Sequence, residues 1–133
     1  PFNQKVLRAS CGSIFHLPFK RITGEEEMVI NNLLSSLKDF SKKGFQIILT
    51  TGNNQDSQNS SKPYWELDWL RPTVLVLGNE GSGIHKKIKE AFNVRVTIPH
   101  SELVESLNVA CVAVPLLLER KRATLTTNPE NKK

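Results

Sequence analysis

Val74-Leu75-Val76-Leu77-Gly78-Asn79-Glu80-Gly81-Ser82-Gly83-Ile84 decides how this chain folds. Four apolar residues stop on a glycine. An Asn-Glu pair comes next, then two more glycines, then a stretch with helical character. Such a run of β-formers reads as a buried strand. Glycine at its end lets a ligand approach the backbone, because it lacks Cβ and tolerates positive φ. Further on, Ile98-Pro99 and Ser106-Leu107-Asn108-Val109-Ala110 repeat the logic of strand, loop and helix. Two such turns close together point to one shared pocket at the C-terminal ends of the strands.

Outward from this stretch the pattern alternates. Asn3 to Gly12 predicts a short helix, and Ile14 to Phe19 a short strand or edge segment. Met28, Val29, Leu33, Leu34, Leu37 and Phe40 mark one face of a helix over 25–43, with Gly44 as its stop. Phe45 to Thr50 is a β-branched run and predicts a buried strand. Gly52 to Lys62 is rich in Asn, Gln and Ser and predicts a surface loop with too little apolar surface to order itself. Thr73 to Leu77 and Val94 to Ile98 predict strands. Ile84 to Phe92 predicts a helix exposing His85, Lys86, Lys87 and Lys89. Ser106 to Lys121 predicts a long apolar helix, kinked or broken at Pro115 and closed by Arg120-Lys121-Arg122. Alternating helix and strand implies α/β with a mainly parallel sheet. Residues 1–123 form one expected domain and 124–133 a polar tail.

The bulk numbers set outer limits. A length of 133 residues suits one domain with a real core, and no apolar run approaches a membrane span. A net charge of +5 is compatible with a polyanionic partner such as RNA. Cys11 and Cys111 lack metal-type spacing and read as two reduced, buried thiols. No His, Cys and Glu spacing suggests a metal. The chain begins at Pro1 and reads as a piece of a longer protein, so targeting signals cannot be judged.

Each chemical feature has a plain structural reading beside it. The Gly78 to Gly83 stretch has neither the Lys-Ser/Thr end of a phosphate-binding loop nor dinucleotide-type glycine spacing. Alone it is as well explained by a strand-to-helix turn. Glu80 can complement a helix N-terminus, yet a carboxylate in a glycine-rich turn after a buried strand asks for a further reason. Ser106 can cap the next helix, which leaves Asn108 less well explained. Lys86, Lys87 and Lys89 read as a solvated face or, beside a ligand loop, as phosphate contacts.

Val-Leu-Gly-Asn-Glu-Gly-Ser-Gly, Ile-Pro and Glu-Ser-Leu-Asn-Val-Ala, in that order, resemble the second and third motifs of the SpoU/TrmH family. These are S-adenosylmethionine-dependent RNA ribose 2′-O-methyltransferases of the SPOUT superfamily. Lys5-Val-Leu-Arg8-Ala-Ser10-Cys-Gly12-Ser-Ile14 and Phe15-His16-Leu17-Pro18-Phe19 resemble the family's opening helix and the segment after it. The likeness covers nearly everything except the polar loop and the tail. It implies a SPOUT-type, mainly parallel sheet flanked by helices, with a C-terminal trefoil knot that holds bent S-adenosylmethionine. It places Leu77, Gly78, Asn79, Gly81, Ile98, Ser106 and Leu107 at the cofactor. Glu80 and Asn108 stand near the reacting ribose as catalytic residues, and Arg8, Ser10 and Lys86 meet RNA. It also implies a homodimer, no metal and no membrane.

The family's first motif, Asn-x-Gly-x-x-x-Arg, precedes the opening helix, and this chain starts after it. Its Arg is the family's main catalytic residue, so the piece by itself is expected to lack that group and the sheet's first strand. Two functions stay open: RNA 2′-O-methyl transfer, on ribosomal RNA or alternatively transfer RNA, and a cofactor- or RNA-binding module without catalysis. The Asn- and Ser-rich insert suggests a eukaryotic source, and by analogy a mitochondrial location.

Overall fold

The computed structural model describes residues 4–51, 61–79, 81–99 and 107–127. Four strands, β1 (Gln46–Thr50), β2 (Lys62–Pro63), β3 (Thr73–Val76) and β4 (Arg95–Thr97), are joined by helices α1 (Gln4–Ala9), α2 (Glu26–Lys42), α3 (Lys86–Ala91) and α4 (Val109–Thr126). The strands form one parallel sheet in the order β2-β4-β1-β3. Ile47 stands opposite Val74 and Ile48 opposite Leu75, while Leu49 pairs with Val76 on one side and Arg95 on the other.

Strand alternation divides β1 between two cores. Ile47 and Leu49 pack with Leu37 of α2, with Ile88 of α3 and with Ile84 just before α3. Ile48 points the other way, onto Trp69, Val96 and Leu116 of α4. Helices thus cover both faces, which is why the run is apolar throughout rather than alternating.

Several elements obey local sequence directly. α2 ends with Gly44 at φ +88, as its position predicts. The Gly44 amide donates to the Ser41 carbonyl at 3.0 Å and the Phe45 amide to the Phe40 carbonyl at 3.1 Å, the Schellman pattern. The Phe40 and Phe45 rings meet edge-on at 5.3 Å and complete it.

Other expectations are corrected. Ile14 to Phe19 is not a strand: Ser13–Phe15 is a single 3-10 turn, and residues 17–19 are irregular. Cys11 and Gly12 both take positive φ, folding the chain back, and Phe15, Leu17 and Phe19 stay exposed, so no buried face exists to hold a strand. α4 is continuous through Pro115, which removes the donor that would serve the Cys111 carbonyl. Burial of Leu116, with Val112 and Ala123 packed on the same cluster, outweighs that loss of about 3 kcal/mol.

Nor do Arg120, Lys121 and Arg122 close the helix. It runs on to Thr126, so the expected boundary between domain and tail falls inside α4. Arg120 reaches across to donate to the Trp69 and Arg71 carbonyls, and Arg122 pairs with Glu119 at 2.6 Å. Thr124 and Thr126 fold their hydroxyls back onto carbonyls of the preceding turn. Cys11 and Cys111 are free but exposed rather than buried: Cys11 follows α1, a helix with no buried residue, and Cys111 lies on the solvent side of α4 while its neighbour Val112 turns to the core. Residues 52–60, most of the expected loop, lie outside the described residues. No helix among the described residues is long and apolar enough to cross a membrane.

Two measurements probe this packing. Leu116 is 0% exposed, so Leu116→Ala is expected to cost about 2–5 kcal/mol by urea denaturation. The half-exposed Leu70→Ala should cost less than about 0.5 kcal/mol, and equal losses would place Leu116 outside the core. Lys87 donates to Glu27 at 3.0 Å, joining α3 to α2 and holding the Glu27 carboxyl below its ordinary value. A depressed carboxyl contributes stability above its unfolded pKa and loses it as pH falls through the folded one. The small advantage of wild type over Glu27→Gln should therefore be full at neutral pH and fade on acidification through the carboxylate range. An advantage that grows in acid would contradict the pairing.

Candidate functional site

Parallel strands in the order β4-β1-β3 bring three strand ends to one edge of the sheet. Thr50 ends β1 and Thr51 succeeds it, Leu77 and Gly78 succeed β3, and Ile98 and Pro99 succeed β4. The Thr50 hydroxyl donates to the Val76 carbonyl at 3.2 Å, and the Thr51 amide to the Val96 carbonyl at 3.0 Å, so the edge is stitched together. Leu77 and Ile98 both pack onto the cluster of Ile48, Trp69, Val96 and Leu116. The Thr51 hydroxyl oxygen is buried and has no hydrogen-bond partner among the described residues. A polar atom in that state needs an explanation, and at the C-terminal edge of a parallel sheet a ligand is one.

The loop after β3 closes on itself. The Asn79 and Gly83 backbones exchange hydrogen bonds of 3.2 and 3.1 Å. The Asn79 Oδ1 accepts from the Gly81 amide at 3.0 Å, the Ser82 amide at 2.7 Å and the Ser82 hydroxyl at 3.1 Å. Gly83 takes φ +65. A Cβ on Gly78 would sit 2.6 Å from the Gly83 carbonyl carbon and 2.8 Å from the Ile84 nitrogen. The missing side chain at Gly78 therefore makes room for the loop's own returning limb, where its sequence context suggests room for a ligand. Ile84, buried in the first core, anchors that limb.

At the head of α4, Asn108 is the N-cap. Its Oδ1 accepts from the Ala110 amide at 2.8 Å, and its carbonyl accepts from the Val112 amide at 3.0 Å. The capping role expected of Ser106 belongs to Asn108. Leu107 before it is half-buried.

Of the residues singled out in the sequence, the fold brings Leu77, Gly78, Asn79, Gly81 and Ile98 to the strand-end edge, and Leu107 and Asn108 to the start of α4. Glu80 and Ser106 lie outside the described residues, as does His100. Arg8 and Ser10 belong to α1 and its end, a helix with no buried residue. The Ser10 hydroxyl donates to the Leu7 carbonyl at 3.1 Å. Lys86 opens α3, exposed and 3.7 Å from Glu90. His85 caps α3 rather than riding on it, its Nδ1 accepting from the Lys87 amide at 3.2 Å. Thr51 is the residue that sequence reasoning misses. Its signal is a hydroxyl pair at the end of a fully buried strand, where such sheets bind ligands. A cavity of about 290 Å³ lined by Phe45, Pro72, Thr73 and Arg120 lies at the opposite, N-terminal ends of β1 and β3.

Known proteins share this geometry. The model of the SpoU rRNA Methylase family matches residues 1–118. An uncharacterized tRNA/rRNA methyltransferase of Synechocystis is 34% identical over 122 residues, covering 92% of this chain and 39% of the relative. A Bacillus subtilis 23S rRNA (guanosine(2553)-2'-O)-methyltransferase is 31% identical over 116 residues, covering 87% and 41%. An AdoMet-bound rRNA methyltransferase from Sinorhizobium meliloti superposes with TM-score 0.70 at 26% identity, covering 92% of this chain and 41% of that one. The chain thus spans about two fifths of the length of the relatives it matches. With nearly its whole described length matched, and its glycine loop and strand-end edge in the order the motifs require, the chain belongs to the SpoU rRNA methylase family.

Proposed function

We propose that the complete protein transfers a methyl group from S-adenosylmethionine to a ribose 2′-hydroxyl of RNA, ribosomal RNA before transfer RNA. The observation that carries this reading is the self-closed loop after β3, at the same strand-end edge as Ile98 and the unpartnered Thr51 hydroxyl, in a chain of this family. The residues present fit the cofactor. Leu77, Ile98 and Leu107 supply apolar surface, Gly78 and its neighbours supply backbone groups, and Thr51 supplies one buried hydroxyl in want of a partner. When bound, S-adenosylmethionine supplies an electrophilic methyl on a sulfonium.

The protein's share is positioning. A ribose hydroxyl is a poor nucleophile until its proton is shared or removed, so in-line alignment and a nearby polar group decide the rate. Asn108 is assigned to that alignment, because the cap fixes its side chain through Oδ1 at the start of α4. Glu80, next to the loop's closing residue in sequence, is assigned to the same ribose. Arg8, Ser10 and Lys86 are assigned to RNA backbone contacts, supported by their charge or hydroxyl and by the family's substrate class. The knot threaded by the chain's C-terminal part and a mitochondrial location belong to this proposal too. The first rests on the family's fold, the second on the Asn- and Ser-rich insert.

A homodimer is part of the same reading, through the outward-facing side of α4. Leu116 is fully buried and Val112 half-buried in the protein's own core, so neither serves a partner. Val114, Leu117 and Leu118 are 54%, 59% and 63% exposed on α4 and offer the apolar surface instead.

The test uses the full-length protein. It should bind S-adenosylmethionine by calorimetry and move its labelled methyl to RNA, leaving a linkage resistant to alkaline hydrolysis. No binding and no transfer, to ribosomal or transfer RNA, would overturn the proposal. Asn108→Ala should lose the cap, about 1 kcal/mol, and lower kcat by about 100-fold. Asn108→Asp keeps the acceptor oxygen and so the stability, yet should still lose turnover. If Asn108→Asp keeps full kcat, Asn108 is a cap and nothing more. Leu107→Ala should instead raise the cofactor Kd and leave kcat at saturation close to wild type. Light scattering of Leu117→Asp/Leu118→Asp should give a monomer where wild type gives a dimer, and an unchanged dimer would move the interface elsewhere.

A further inference from the structure

We propose that Asn79 is a positioning residue whose working atom is its side-chain carbonyl oxygen: it sets the loop after β3 into its ligand-receiving shape before any ligand arrives. The inference rests on the methyl-transfer reading and adds to it how that loop is built.

The observation is the direction of three hydrogen bonds. The Gly81 amide, the Ser82 amide and the Ser82 hydroxyl all donate to one atom, the Asn79 Oδ1. None of the three involves the side-chain nitrogen of Asn79. The loop is exposed at Asn79, Gly81 and Ser82, so packing cannot impose this shape on those residues. What fixes it is internal: the three bonds to Oδ1, the paired backbones of Asn79 and Gly83, and the fit of Gly83 and Ile84 against Gly78. Its base is rigid, because Leu77 packs on one core and Ile84 is buried in the other. Removing Oδ1 leaves the base in place and frees only the tip. A tip that must order itself on binding lowers affinity, whereas a preset one does not.

This arrangement separates two roles that are otherwise easily confused. If Asn79 served by donating its amide to a ligand, aspartate could not replace it. If it serves by accepting from the loop, aspartate can, since it presents an acceptor oxygen at the same position. Asn79→Asp is therefore the conservative variant and Asn79→Ala the disruptive one. Ser82→Ala removes one of the three bonds and should fall between them.

The experiment uses full-length wild type, Asn79→Ala, Asn79→Asp and Ser82→Ala, with two readouts. The first is solvent exchange of the Gly81 and Ser82 amides by NMR without ligand. It should be slow in wild type and Asn79→Asp and at least about tenfold faster in Asn79→Ala. The second is S-adenosylmethionine affinity and methyl transfer at saturating cofactor. Asn79→Ala should raise Kd by about tenfold or more with kcat little changed, and Asn79→Asp should stay within about threefold of wild type. Equal amide exchange in wild type and Asn79→Ala would overturn the proposal, and so would an Asn79→Asp as damaged as Asn79→Ala. Wild type that fails to bind S-adenosylmethionine overturns the methyl-transfer reading, and with it the ligand this loop is proposed to receive. That outcome is distinguishable, because the exchange contrast between wild type and Asn79→Ala persists.

Discussion

Burial of β1 on both faces is the constraint on which the rest depends. Ile47, Ile48 and Leu49 are each nearly inaccessible, and each face needs its own helical cover. α2 and α3 supply one cover and α4 the other. Because β1 lies between β3 and β4, its last residue Thr50 and the following Thr51 are held between two other strand ends. A parallel sheet leaves all its strand ends on one side, so a buried centre creates a site at its edge without further design. The site is thus a by-product of how the core is closed.

The loop after β3 shows how a motif can serve the chain's own architecture before any ligand is considered. Gly78 is small because Gly83 and Ile84 return against it, and Asn79 is polar because three donors turn inward to it. Both properties are needed in the absence of any ligand. A ligand then meets a surface already formed, and the cost of ordering it has been met during folding.

Much of this was legible in the residues. The apolar helix face over 25–43, the stop at Gly44 and the three β-rich runs announce α2, β1, β3 and β4, because their local preference agrees with their tertiary setting. The failures share a cause, which is contact with residues far along the chain. Pro115 should interrupt a helix, but Leu116 beside it is buried by Ile48, Trp69 and Val96. Arg120 should end the helix, but carbonyls at Trp69 and Arg71 hold it. Ile14 to Phe19 is apolar enough for a strand, yet it joins none of the four strands of the sheet. At the candidate site, motifs point to Gly78 and Ile98, whereas the unpartnered hydroxyl of Thr51 and the cap at Asn108 become visible only in the fold.

The strand order has a consequence for how the protein is made. Of the four strands, β1 leaves the ribosome first, and it is one that ends inside the sheet. Its partner β3 begins at Thr73 and β4 is complete only at Thr97. At about 5–20 residues per second, roughly 50 residues of further synthesis take several seconds, during which β1 waits for the two strands that flank it. In that interval α2, already synthesised, is the one member of its final helical cover able to shelter Ile47 and Leu49, and Ile48 lacks its helical cover until α4 arrives. Chains that stop between β1 and α4 therefore leave Ile48 without its helical cover, and the apolar surface so exposed favours aggregation over folding.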